Sequence, residues 1–133
     1  MPRRKKRKYG KLTQAMILQR LTEGTLLVCF KRLTLFTTLT GAKSRKRLKE
    51  ITHWRKYRAG RRKEYPCVKL RWKNCQCTIS LHCLAWLAYS LQEIPEGYEV
   101  DHVNGDKENW HYDNLQLLSR KDHRSKHNEE EFT

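Results

Sequence analysis

Near the C-terminal end, the segment DHVNGDKENWHYDNLQLLSRKDH places Asp101 beside His102, then Asn114, then His123. Asp101 offers a hard carboxylate oxygen and His123 an imidazole nitrogen. With water and a phosphate oxygen completing the shell, the two would hold a divalent cation. Mg²⁺ suits this set best, and the nitrogen ligand also admits Mn²⁺, Ni²⁺, Co²⁺ or Zn²⁺. His102 belongs to the residue type that titrates near neutral pH and takes a proton from attacking water. Asn114 is expected to accept a hydrogen bond from one of its ring nitrogens and hold the other toward that water. The cation would offset charge gathering on a phosphate and its leaving 3′ oxygen. A base and a metal pair side by side are the equipment of phosphodiester hydrolysis.

For these residues to meet, the chain must double back. The pattern predicts a short strand running into Asp101-His102 and a turn at Asn104-Gly105-Asp106. A returning strand over Leu115–Leu118 and a helix capped by Ser119 and running to about His127 follow. In a regular strand Asp101 and His102 point to opposite sides, so a bulge or loop is expected at the strand end. His127 lies four residues past His123 on the same helix face and competes with it as the ligand.

Upstream, Cys67–Arg71 and Gln76–Leu81 read as a hairpin closed by Trp72-Lys73-Asn74, and Leu81–Leu91 as a densely apolar helix. His82, at that junction, is expected to tie the helix to the ribbon by a hydrogen bond. Trp86 and Tyr89 are read as core. Asn109 is read as structural, and Trp110 packs under the site or meets the sugar backbone. One small core is expected within residues 65–118.

The charge is divided unevenly. The 133 residues carry 29 Lys and Arg against 14 Asp and Glu, a net +15. Residues 1–73 hold 24 basic and 3 acidic side chains (+21), and residues 74–133 hold 5 and 11 (−6). Such a front calls for a polyanionic partner, with nucleic acid favoured over a membrane surface, and excludes an ordinary neutral metabolic domain. Duplex DNA is the expected partner and RNA the lesser one.

Residues 1–11 read as a disordered basic arm, 12–64 as a basic region with DNA-contacting helices, 65–128 as the catalytic core and 129–133 as an acidic tail. Thr13 caps a helix to about Leu21, ended by Glu23-Gly24, and Thr25–Phe30 with Leu33–Thr38 form a strand or hairpin. After Gly41, Ser44 opens a basic stretch, SRKRLKEITHWRKYR, read as a helix with Leu48, Ile51 and Trp54 on a drifting face. That helix contacts the DNA backbone or, as a degenerate helix-turn-helix, reads a groove. Gly60 and the run from Arg61 to Lys63 read as a flexible linker. Candidate DNA contacts are Arg55, Lys56 and Arg58, then Arg61 and Arg62, then Lys69, Arg71 and Lys73 on the hairpin. Arg120, Lys121 and Arg124 on the last helix complete them.

No apolar run follows the first basic residues and none approaches membrane-spanning length, so a cytoplasmic setting is expected. The five cysteines fit reduced thiols there. Cys67, Cys75, Cys77 and Cys83 fall within 17 residues, but Cys-x-Cys is not the usual Cys-x₂₋₄-Cys spacing of structural zinc.

Residues 81–123 resemble the HNH nuclease core of the homing-endonuclease type, found in phages and group I introns. The matching places are His82, the Pro95–Gly97 turn, Asp101-His102, Asn104-Gly105-Asp106, Asn109, Asp113-Asn114-Leu115 and His123. The resemblance implies an α+β chain with a small ββα-metal core of about 60 residues, preceded by a basic extension of uncertain fold. It also implies His102 as general base, Asn114 as its orienting partner, and Asp101 with His123 as ligands to one divalent cation. Cys83 stands where the family usually has Arg, and Asn109-Trp110 where it often has Asn-Asn. A non-catalytic nucleic-acid-binding protein on the same scaffold is the alternative expectation.

Overall fold

The structure, a computed structural model, describes residues 8–38, 48–51, 55–59 and 63–132. Most of the basic arm (1–7), Gly41, Ser44, Trp54, Gly60, Arg61 and Arg62 lie outside the described residues.

The chain opens with strand β1 (Gly10–Lys11), helix α1 (Gln14–Glu23), and strands β2 (Leu26–Cys29) and β3 (Thr34–Thr38). Thr13 caps α1 by accepting the Met16 N–H, and Gly24 ends it at φ 77°, a backbone conformation open to glycine at little cost. The β-branched runs that follow form an antiparallel hairpin, joined by β4 (Leu48–Ile51) into a three-stranded sheet ordered β2-β3-β4.

The basic stretch read as one helix is therefore extended over Leu48–Ile51, and again in β5 (Arg55–Ala59). Pairing outweighs the weak helical pattern: Ile51 lies opposite buried Leu35 and packs against the core, and every residue of β5 pairs with β6. No recognition helix exists over these strands, and Arg55, Lys56 and Arg58 sit on β5.

β6 (Lys63–Trp72) and β7 (Cys75–Ser80) form the predicted hairpin. Lys73 and Asn74 turn the chain at φ 49° and 60°, as the common two-residue hairpin turn requires. β1 pairs in parallel with β7, so Gly10 and Lys11 are strand rather than free arm, giving the order β1-β7-β6-β5. β6 also takes up Lys63, read as linker, and joins residues on either side of position 64. Pro66 is tolerated because β6 pairs with β7 only from Cys67 onward.

Helix α2 (Leu81–Ser90), strands β8 (Tyr98–His102) and β9 (Leu115–Ser119), and helix α3 (Arg120–Phe132) complete the chain. Residues 129–132, read as an acidic tail, continue α3. From about residue 80 to 126 the order is α-β-β-α, consistent with an HNH-like ββα core.

The core is wider than the C-terminal half. Leu81, Leu84, Ala85 and Leu87 of α2 share one buried cluster with Val100, Trp110 and Leu115, and also with Leu12, Ile17, Leu26 and Leu35. The basic region supplies its own apolar residues to this cluster, so burial does not stop at residue 65. Arg20, buried on α1, donates to the Thr25 carbonyl (3.0 Å) and to Thr37 Oγ1 (2.8 Å), fastening α1 to the β2–β3 hairpin. Among the described residues, no helix is long and apolar enough to cross a membrane.

Leu84→Ala, at a fully buried position, is expected to cost about 2–5 kcal/mol in urea unfolding. Leu27→Ala, on the exposed side of β2, should change stability by less than about 0.5 kcal/mol. Equal effects at the two positions would contradict this core.

Candidate active site

β8 and β9 are antiparallel with an unbroken register, Asp101 opposite Gln116 and His102 opposite Leu115. No bulge brings Asp101 and His102 together, contrary to the expectation. Period-two alternation sends Glu99 and Asp101 toward α3, and His102 toward α2 and β6. Both still line one cleft, because they end the strand. This cavity of about 390 Å³ is walled by His82, Asp101, His102 and His123, with Tyr65, Cys67, Cys83 and Glu99 among its other residues.

α3 follows β9 directly. Ser119 accepts the Asp122 N–H at its start, and the helix lies back along the ribbon. His123 and Lys126, one turn apart, thereby face Asp101. His123 Nε2 is 3.2 Å from Asp101 Oδ1, and its Nδ1 is 2.5 Å from Glu99 Oε2. Asp101 Oδ2 accepts from Gln116 Nε2 (2.9 Å) and from the Lys126 ammonium. Lys126 also donates to the carbonyls of His102 (2.8 Å) and Val103 (3.1 Å). Burial alone would raise the Asp101 carboxyl. The hydrogen bonds from Lys126 and Gln116, with the charges of Lys126 and His123, outweigh it and hold the group below its usual range.

On the other side of β8, the His102 ring lies 4.6 Å from that of His82, and Tyr65 stacks along His102 at 6.4 Å. Burial is the main cause lowering the His102 pKa; Asp101 and Asp106 oppose it, while Lys107 and Lys126 reinforce it. His102 is therefore neutral near pH 7. Burial, aided by His102, pushes His82 down to about 3. Burial and the nearby Asp101 and Glu99 carboxylates raise the Tyr65 phenol. Among the described residues, His102 Nε2 and His82 Nδ1 are buried with no hydrogen-bond partner. Ring packing against His102 thus stands where a hydrogen bond from His82 to the ribbon was expected.

Asn114 is buried below the loop, and its amide is spent there. Oδ1 accepts the Asn104 N–H (3.1 Å), and Nδ2 donates to Asn104 Oδ1 and the Asn109 carbonyl (both 2.9 Å). Its backbone carbonyl takes the Val103 N–H at 2.7 Å. Asn114 thus fixes the backbone just past His102, and the expected bond to the His102 ring is not among its contacts. Asn109 accepts the His111 N–H and shapes the same loop. Trp110 is 2% exposed and packs beneath it. Trp86 is partly buried against the core, whereas Tyr89, read as core, is 55% exposed and stacks on Tyr112.

The six candidate DNA contacts whose side chains are described fall in two places. Lys69, Arg71 and Lys73 are exposed on the hairpin, Arg71 over the Tyr9 ring and Lys73 over Trp72. Arg120, Lys121 and Arg124 are exposed on the first turns of α3, beside the cleft. Sequence reasoning missed Glu99, Lys126, Gln116 and Tyr65. Glu99 is two residues before Asp101 on a strand, and Lys126 three after His123 on a helix, so face periodicity marks both. Gln116 and Tyr65 reach the site through strand pairing and tertiary packing, which no local spacing reveals.

Among the described residues, no three His, Cys, Asp or Glu side chains converge as a metal cluster. The donor set nonetheless suits a divalent ion completed by water and phosphate: an Asp101 oxygen and His123 Nε2 stand together, at a point negative enough to hold the Lys126 ammonium. All five cysteines are free thiols; Cys75 and Cys77 pack against the core, and Cys67 and Cys83 line the cleft.

The family model described as HNH endonuclease matches residues 80–125. An HNH-family domain is present in this chain. It begins at the end of β7, spans the α-β-β-α arrangement and includes Asp101, His102, Asn114 and His123. Neither the curated proteins nor the solved structures compared with the chain gave a significant match. The HNH domain is consistent with interaction with nucleic acid, DNA above all.

The depressed His82 pKa sets an acid limit on the metal-free fold. Below pH 6.5 the unfolded chain takes a proton that folded His82 refuses until about pH 3. Stability from this group is therefore complete above 6.5 and falls as pH drops, by up to about 1.4 kcal/mol per pH unit. Urea midpoints in EDTA across this window should decline less steeply for His82→Phe than for wild type. Parallel declines would contradict a neutral buried His82.

Proposed function

We propose that this chain is a divalent-metal-dependent DNA endonuclease of the homing-endonuclease-like HNH type. The observation that carries the reading is His102, a buried neutral imidazole with an unpartnered nitrogen, on the same cleft as the Asp101–His123 pair and inside the HNH match. His102 accepts the proton of the attacking water, and its lowered pKa keeps it able to do so at neutral pH. Asn114 holds the backbone following His102 and so steadies the base. Asp101 and His123 hold the cation, with Mg²⁺ best suited to a site that leaves most positions to water and phosphate. When bound, it supplies positive charge against the scissile phosphate and the leaving oxygen.

DNA reaches the cleft along the basic face. On β6, alternation places Lys69 and Arg71 on the side of Cys67 and Tyr65, both of which line the cleft. Lys11 continues that row across the sheet, in register with Gln76. Arg120, Lys121 and Arg124 flank the cleft from α3. These cations displace counterions from phosphates and supply most of the affinity. The basic region and the nuclease core thus divide binding from chemistry, although they share a sheet.

One observation favours a second reading. Lys126 places an ammonium on Asp101 and on two backbone carbonyls, where a cation would otherwise sit. A descendant that binds nucleic acid without metal would look like this.

Cleavage of supercoiled plasmid decides between them. The nuclease reading expects nicked or linear product with Mg²⁺ or Mn²⁺, none in EDTA, and a loss of about 10²–10⁴-fold in His102→Ala with DNA binding retained. Arg71→Ala should weaken binding across sequences and lower the salt slope by about one. No metal-stimulated cleavage of any DNA, with binding intact, would establish the binder.

A further inference from the structure

We propose that Glu99 is a positioning residue that selects which nitrogen of His123 faces the metal. The inference rests on Asp101 and His123 being the ligand pair. Glu99 and Asp101 are two residues apart on β8, so both project from the same face, the one covered by α3. The His123 ring lies between them. Its Nδ1 meets Glu99 Oε2 at 2.5 Å, and its Nε2 meets Asp101 Oδ1 at 3.2 Å. A carboxylate that takes the proton-bearing nitrogen of a ligating histidine fixes the tautomer and ring plane and strengthens the other nitrogen as a donor. Glu99 therefore commits Nδ1 to itself and leaves Nε2 for the ion shared with Asp101.

Glu99 is itself held. Arg120, three residues before His123 on α3, brings Nε to 3.8 Å from Glu99 Oε1. The His123–Glu99 contact thus fastens the helix carrying one ligand to the strand carrying the other. Glu99 is half-exposed at the cleft rim, so its replacement removes this contact without opening the core.

The test is Mn²⁺ binding to the full chain without DNA, by calorimetry, in wild type, Asp101→Asn, Glu99→Ala and Glu99→Gln. Glu99→Ala should weaken Mn²⁺ about 10–100-fold. Glu99→Gln keeps an acceptor for Nδ1 and should recover most of that loss. DNA affinity in EDTA should be unchanged in both, and excess Mn²⁺ should restore their cleavage. Wild-type affinity in Glu99→Ala overturns the inference. So does equal weakening in Ala and Gln, which marks a general charge effect. In either case, weakened binding in Asp101→Asn leaves the metal-site reading standing. Mn²⁺ binding that is absent, or indifferent to Asp101, overturns that reading and this inference with it.

Discussion

The two-residue period of β8 organises the site. Because successive side chains leave a strand on opposite faces, Glu99 and Asp101 are given to α3, while Val100 and His102 turn the other way. Val100 joins the buried cluster, and His102 packs beside His82 and Tyr65 in the wall of the cleft. The Asp101 carboxylate and the His102 imidazole therefore occupy different electrical environments one residue apart. On the α3 side, Lys126 and Gln116 satisfy the Asp101 carboxylate and keep it ionised. On the other, burial lowers the His102 pKa and favours the neutral imidazole. A bulge bringing both side chains to one face would have placed imidazole and carboxylate in the same field.

The partners of β8 follow from this split. α3 must lie back along the ribbon, or Asp101 would be buried as an unpaired charge, which is costly. The loop from Val103 to Asn114 must hold its path, or His102 would lose its enclosure. Asn114 serves that purpose with its amide and its backbone carbonyl both on the loop. α2 supplies the floor, and His82 is the one polar side chain among its buried residues.

Much of this was legible in residue order. The Lys73-Asn74 hairpin, the apolar α2, the β8–β9 ribbon and the α3 start at Ser119 carry strong local signals, and their placement brings Asp101 to His123. The extended conformation of Leu48–Ile51 and Arg55–Ala59 was not legible. A run rich in Lys and Arg with Leu and Ile three apart satisfies a helix locally. Only the open edges of β3 and β6 select strand, and pairing partners are a tertiary fact. Asn114 shows the same limit at the site. Its position is marked in sequence, but whether its amide faces a ring or a loop depends on the path of Asn104 and Asn109. Lys126 went unmarked because a lysine on a helix rich in both charges reads as a solvated charge.

The strand β6 has a consequence for modularity. Its first residues pair with β5 on the basic side, and its last pair with β7, which leads into the HNH segment. Excising the chain at residue 64 would strip β5 away and leave the backbone of β6 as a raw edge, open to pairing with another molecule. It would also remove Leu12, Ile17, Leu26 and Leu35 from the cluster that roofs α2. The HNH segment and its basic neighbour are thus not beads on a string. Any recombination that exchanges one for another must carry the seam of that sheet with it.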